Sequence, residues 1–60
     1  MIIHFQDYDT YRILSAPDID IAPNKDEHVM IDDVWYVVVE RTFHLGSHPY
    51  CDIYVKFEHK

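Results

Sequence analysis

This chain of 60 residues has one glycine, one cysteine and few cations, and no segment repeats apolar residues at helical spacing between caps. Each scarcity excludes something. A single glycine leaves no glycine-rich phosphate loop. Ser15 and Ser47 lack the strained turn and following glycine of a nucleophile elbow. A single cysteine permits no internal disulfide, which excludes a disulfide-framed secreted miniprotein and suits a reducing compartment. No apolar run approaches a membrane span, and the N-terminus lacks the basic-then-apolar layout of a signal peptide. Met1 leads within one residue into apolar sequence, as a complete small open reading frame would. The expectation is a single soluble, cytoplasmic domain over residues 1–60, near the lower size limit for a core without staples.

What the chain does have is apolar and aromatic residues at the spacing of strands. From Val29 to Phe57, VMIDDVWYVVVERTFHLGSHPYCDIYVKF reads as three consecutive antiparallel strands. From Cys51 to His59 the apolar Cys51, Ile53, Val55 and Phe57 alternate with the polar Asp52, Tyr54, Lys56 and Glu58. Pairing Leu45 with Cys51 sets Phe43 opposite Ile53 and Val39 opposite Phe57. On the other face it sets His44 by Asp52, Thr42 by Tyr54 and Glu40 by Lys56, as cross-strand pairing favours. Arg41 then falls opposite Val55, with its stem covering apolar surface near an edge.

A two-residue turn at Asp32-Asp33 pairs Ile31 with Val34, Met30 with Trp35 and Val29 with Tyr36. Both faces of Val34–Val39 are then apolar, so this strand is bent within a small barrel or covered by another chain. Earlier in the chain, Met1–Gln6 and Thr10–Ala16 read as short strands joined at Asp7-Tyr8-Asp9. Pro17 and Pro23 bracket an extended DIDIA segment suited to an edge, and Pro23–Asp26 is a turn by composition. The expected fold is all-β: an antiparallel sheet of four to five strands with one long bent strand, forming an SH3-like or partly open barrel.

Charge is segregated. Between Asp7 and Asp33, eight carboxylates (Asp7, Asp9, Asp18, Asp20, Asp26, Glu27, Asp32, Asp33) face two cations (Arg12, Lys25), which gives the whole net charge of −6. Elsewhere Glu40, Asp52 and Glu58 balance Arg41, Lys56 and Lys60. Direct nucleic-acid binding needs a basic surface, and none is encoded. The acidic segment reads as a face for a basic protein partner, such as a nucleic-acid-binding surface on which carboxylates replace phosphates; the plainer reading is that loop carboxylates keep the protein soluble.

Other constellations carry less. His44, His48 and Cys51 in HLGSHPYC have zinc-like spacing but no fourth ligand, and the register sends His44 and Cys51 to opposite faces. No metal or cofactor is therefore assigned. Asp7-Tyr8-Asp9 and Asp18-Ile19-Asp20 lack the glycine and closing glutamate of a calcium loop. A thiol–imidazole pair at Cys51 has nothing to orient it, and the chain is expected not to be an enzyme. Among five tyrosines, Tyr36 on the two-sided strand is the best interface candidate, with burial inside a closed barrel as its alternative.

The segments EHVMIDDVWYVVVERTFHL and MIIHFQDYDTYRIL resemble a pattern in small bacteriophage and prophage proteins: a strand, Ile-Asp-x-x-Trp/Tyr-Tyr, and a valine-rich strand. The resemblance implies a small SH3-like β domain of phage origin. It carries over no functional residues. The expectation is a non-enzymatic protein that binds another protein, as an inhibitor through its acidic face or as a structural protein that oligomerises around Tyr36.

Overall fold

A computed structural model describes residues 1–58; His59 and Lys60, and with them the end of the expected Cys51–His59 alternation, lie outside the described residues. The fold is all-β, one mixed five-stranded sheet curled into a half-barrel. The strands are β1 (Ile2–Asp7), β2 (Ile13–Ser15), β3 (His28–Ile31), β4 (Val34–His44) and β5 (Tyr50–Phe57). Their order across the sheet is β2-β1-β5-β4-β3.

The β3–β4 hairpin has the pairing that the turn at Asp32-Asp33 dictates: Ile31 with Val34, Met30 with Trp35, Val29 with Tyr36. Asp32 and Asp33 both take positive φ, 51° and 65°. That is the type I′ geometry whose twist matches the flanking strands. Aspartate occupies it at a steric cost that glycine would not meet.

The β4–β5 hairpin departs from the expected register. Phe43 lies opposite Cys51, not Ile53, a slip of two residues that leaves every side chain between Glu40 and His44 on its expected face. The slip places Tyr50 opposite His44, where the rings stack at 4.2 Å and 8°. Arg41 sits opposite Ile53 rather than Val55, its guanidinium 5.3 Å from the centre of the Phe43 ring. The register then shifts again between Val38 and Glu40. A β-bulge of this kind places one unpaired residue, here Val39, in the long strand and bends it. Beyond the bulge the faces exchange, so Val38 and Tyr36 turn to the core with Val55 and Phe57, while Val37 lies opposite Lys56. The expected pairs Val39–Phe57, Glu40–Lys56 and Thr42–Tyr54 do not form: Val39 is unpaired, Glu40 lies opposite Tyr54 and Thr42 opposite Asp52.

The second departure is the parallel pairing of β1 with β5, from Ile2–Tyr50 to Asp7–Val55. It makes β5 the central strand and sets Ile3 and Phe5 on the same face as Cys51 and Ile53. Ile3, Phe5, Val38, Cys51, Ile53 and Val55 form the buried core, flanked by Leu14, Ala22, Val29, Ile31 and Tyr36. Burying side chains of this size contributes about 1.5–3 kcal/mol each, so this single cluster carries most of the fold's favourable energy. At the far edge β2 pairs with β1. The chain then passes along the start of β1, where Ile2 and Asp18 form an isolated bridge, and crosses to β3. The described residues contain no pairing between β2 and β3, which leaves the barrel open along one side.

Candidate functional site: an acidic cleft at the barrel opening

The opening is a cleft of about 610 Å³. Phe5 and Ser15 line it from β1 and β2, while Val29, Met30, Ile31 and Asp32 form the β3 side. The opposite wall is the crossover, residues 16–24, which contributes Pro17, Ile19, Ile21, Ala22, Pro23 and Asn24, while Glu27 lines the cleft just before β3. Backbone hydrogen bonds hold that wall against β1: the Ile3 amide donates to the Pro17 carbonyl and the Ile19 amide to the Met1 carbonyl, both at 3.0 Å. An extended backbone alternates its side chains. Hence Pro17, Ile19 and Ile21 line the cleft, while Asp18 and Asp20 between them do not. Arg41 ties the same wall to β4 by donating to the Ala22 carbonyl at 3.4 Å.

The carboxylates of the acidic segment fall into three places. Asp18 and Asp20 lie on the crossover wall and share the Met1 ammonium, at 2.9 and 3.7 Å. The contact with Asp18 is the main reason that the ammonium is held more basic than its ordinary 8.0. Glu27 and Asp32 line the cleft at the two ends of β3, with the exposed Asp26 and Asp33 beside them. The backbone amide of Asn24 donates to the Glu27 carboxylate, closing the turn that carries Asp26 at φ 71°. Asp7 and Asp9 stand apart at the far end of β1. Five strand steps separate Asp7 from Ile2, about 17 Å at the usual rise. The Asp7 carboxylate is taken up locally by the amides of Asp9 and Thr10, at 2.8 and 3.1 Å. Two of the eight acids thus line the opening, four more sit on the segments that border it, and two stand at the β1–β2 turn.

Tyr36 packs against the core, its ring 6.2 Å from Phe57 at 77°. The adjoining pair on the other face of the hairpin, Met30 opposite Trp35, is the more exposed, at 50% and 42%.

On the outer face the structure builds a cluster that the sequence did not reveal. Asp52 is the one buried acid among the described residues. Its Oδ1 accepts from Gln6 Nε2 at 2.8 Å and lies 3.1 Å from His4 Nδ1, and its Oδ2 lies 2.8 Å from His44 Nε2. An ionised carboxylate only accepts, so each imidazole presents its N–H to it. The cluster joins β1, β5 and β4 through one side chain. His44 beside Asp52 follows from the hairpin; His4 and Gln6 required the parallel β1–β5 pair, which has no sequence period of its own.

Cys51 points the other way, into the core, and burial pushes its thiol pKa up. His44 and Cys51 are therefore on opposite faces, as the register implied. No group of three metal-ligating side chains converges among the described residues. A second, smaller depression of about 300 Å³ lies on the outer face between Tyr8, Tyr11, Glu40, Thr42 and Tyr54. Its walls are three phenols, one carboxylate and the Thr42 side chain, with Tyr11 set edge-on to Tyr54 at 5.9 Å.

No protein-family model matches this chain, and neither a curated protein nor a solved structure matches it.

Proposed function

We propose that this chain is a non-enzymatic, cytoplasmic binding protein of phage type that docks its acidic half on a basic surface of another protein. In the sharpest form of the reading it is an inhibitor, covering a surface that would otherwise hold nucleic acid. The observation that supports it is the pairing of apolar and acidic groups at the barrel opening. Ile19, Ile21, Val29 and Ile31 offer apolar contact inside a cleft lined also by Glu27 and Asp32, with Asp18 and Asp20 alternating between the lining residues of the crossover. Apolar contact gives such an interface its energy and the carboxylates select a cationic partner. Asp26 and Asp33 extend the negative rim; Asp7 and Asp9 add to the long-range field rather than to the contact.

The test is a binding titration with a basic, apolar peptide at low and high salt, repeated with Asp18→Lys, Asp20→Lys, Asp26→Lys and Asp32→Lys. Affinity should fall with salt and with each reversal. Salt-insensitive binding would sink the reading.

A second reading is favoured by the exposed Met30–Trp35 pair: self-assembly through the outer face of the β3–β4 hairpin. Tyr36, on the opposite face of β4, would then support the interface from beneath. A charged residue at Trp35 should release a folded monomer from such an assembly, and a mass unchanged by that substitution would rule it out.

A further inference from the structure

We infer that the occupant of the acidic cleft is an extended segment of the partner, added as a sixth strand along β3 and closing the half-barrel. The inference rests on the docking reading above and specifies the form that the partner takes. Three observations on the same opening lead to it.

First, β3 is an edge strand whose free side faces the cleft. The two-residue turn makes Ile31 and Val34 the hydrogen-bonded pair that closes the hairpin, and the Val38 amide, donating to the Glu27 carbonyl at 2.9 Å, falls in the same phase. In an antiparallel ladder such pairs alternate with non-bonded ones. Val29 and Ile31 therefore turn their backbone groups to β4, and His28 and Met30 turn theirs to the open edge. An exposed edge of this kind is a template for another strand.

Second, the side chains bordering that edge are sorted as an incoming strand requires. The floor and inner walls are apolar: Phe5, Ile19, Val29 and Ile31. Glu27 and Asp32 line the cleft at the two ends of β3, and Asp18 and Asp20 alternate with the lining residues of the crossover. Only the Met1 ammonium is paired to any of them at ion-pair distance among the described residues. A strand presents alternate side chains to opposite faces. The complementary segment is thus one in which apolar residues, directed into the cleft, alternate with lysine or arginine at the rim.

Third, β3, although only four residues long, lacks the residue-level protections of an edge. It holds no proline and no lysine, the residues that commonly blunt an edge. The prolines of this region, Pro17 and Pro23, lie on the opposite wall, so the crossover is the poorer template and β3 the better one.

The probe is an acetylated, amidated peptide of about eight residues, a usual strand length, with valine and lysine alternating. Two modified forms carry backbone N-methyl groups on every valine or on every lysine. Each form removes the donors of one edge while charge and side chains stay the same. Titrations into the isotope-labelled protein are followed by amide chemical shifts and amide exchange. Strand addition requires that the parent peptide bind, that one methylated form bind at least about tenfold more weakly than the other, and that the His28 and Met30 amides become protected. If the parent binds but both methylated forms bind equally well, strand addition is overturned and acidic docking stands. If the parent does not bind, or Glu27→Lys with Asp32→Lys leaves its affinity unchanged, both readings are overturned.

Discussion

Replacing Asp52 with alanine should cost this protein most of its stability. The carboxylate is buried on the outer face and its two oxygens meet Gln6 Nε2 at 2.8 Å, His4 Nδ1 at 3.1 Å and His44 Nε2 at 2.8 Å. Hydrogen bonds to a charged group contribute about 1.5–3 kcal/mol each. The three do not add in full, because the His4 and His44 side chains are 29% and 39% exposed and rehydrate once released. We therefore expect a loss of about 2–4 kcal/mol, weighted toward the half-buried Gln6. A single core of this size supplies about 3–5 kcal/mol in total, so the variant sits near the edge of folding. Asp52→Asn preserves the shape and one acceptor oxygen, and should lose about half as much. Urea unfolding followed by Trp35 fluorescence measures both. With a slope of about 1 kcal/mol per molar, the Asp52→Ala midpoint falls by about 2–4 M. Asp9→Ala, at an exposed turn position, serves as the control and should stay within about 0.5 kcal/mol. An Asp52→Ala loss no larger than that of the control would refute the reasoning, since the cluster would then contribute nothing beyond solvation.

Other consequences can be measured in the same way. Asp33→Gly relieves a positive φ of 65° in the β3–β4 turn and should raise stability by about 0.5–1 kcal/mol; an unfolding midpoint that does not rise counts against the type I′ assignment. The Cys51 thiol, buried in the core with its pKa raised by desolvation, should react with a thiol reagent only as fast as the protein unfolds, and reaction at the rate of a free thiol would place Cys51 elsewhere. The Met1 ammonium has its pKa raised by Asp18, so the folded value lies above the unfolded one. The stabilisation from that contact is then fully present below the ordinary value of 8.0 and is lost as pH rises through the folded value. Melting curves of the wild type and Asp18→Asn should converge on the alkaline side; a gap that widens there would contradict the pairing.

What the sequence made legible follows from which interactions are local. The Asp32-Asp33 turn and its three pairs were readable because a two-residue hairpin fixes register by itself. In the β4–β5 hairpin the alternation fixed the faces but not the register. A slip of two residues keeps every face, and the choice fell to the stacking of His44 on Tyr50 across a loop of five residues, Leu45 to Pro49. The bulge at Val39 was hidden in VWYVVV because both faces there are apolar, so pattern alone cannot show where the faces exchange. The parallel β1–β5 pair joins residues nearly fifty positions apart, as in His4 with Asp52. Nothing in MIIHFQ distinguishes a parallel from an antiparallel neighbour. That pair is also why His4 and Gln6 went unrecognised as partners of Asp52. The acidic segment was plain in composition, but its division into six residues lining or bordering the opening and two at the β1–β2 turn depends on the crossover lying along β1.

Docking on a basic partner requires the cleft beside β3 to be open in a single chain rather than covered by a second copy. Light scattering on the tag-free protein at low and high salt tests this directly. A monomer at both salt concentrations is the expected result, leaving the acidic opening free for a basic partner. A stable dimer that persists in high salt would contradict it, and would give the exposed apolar residues of the β3–β4 hairpin to self-assembly instead.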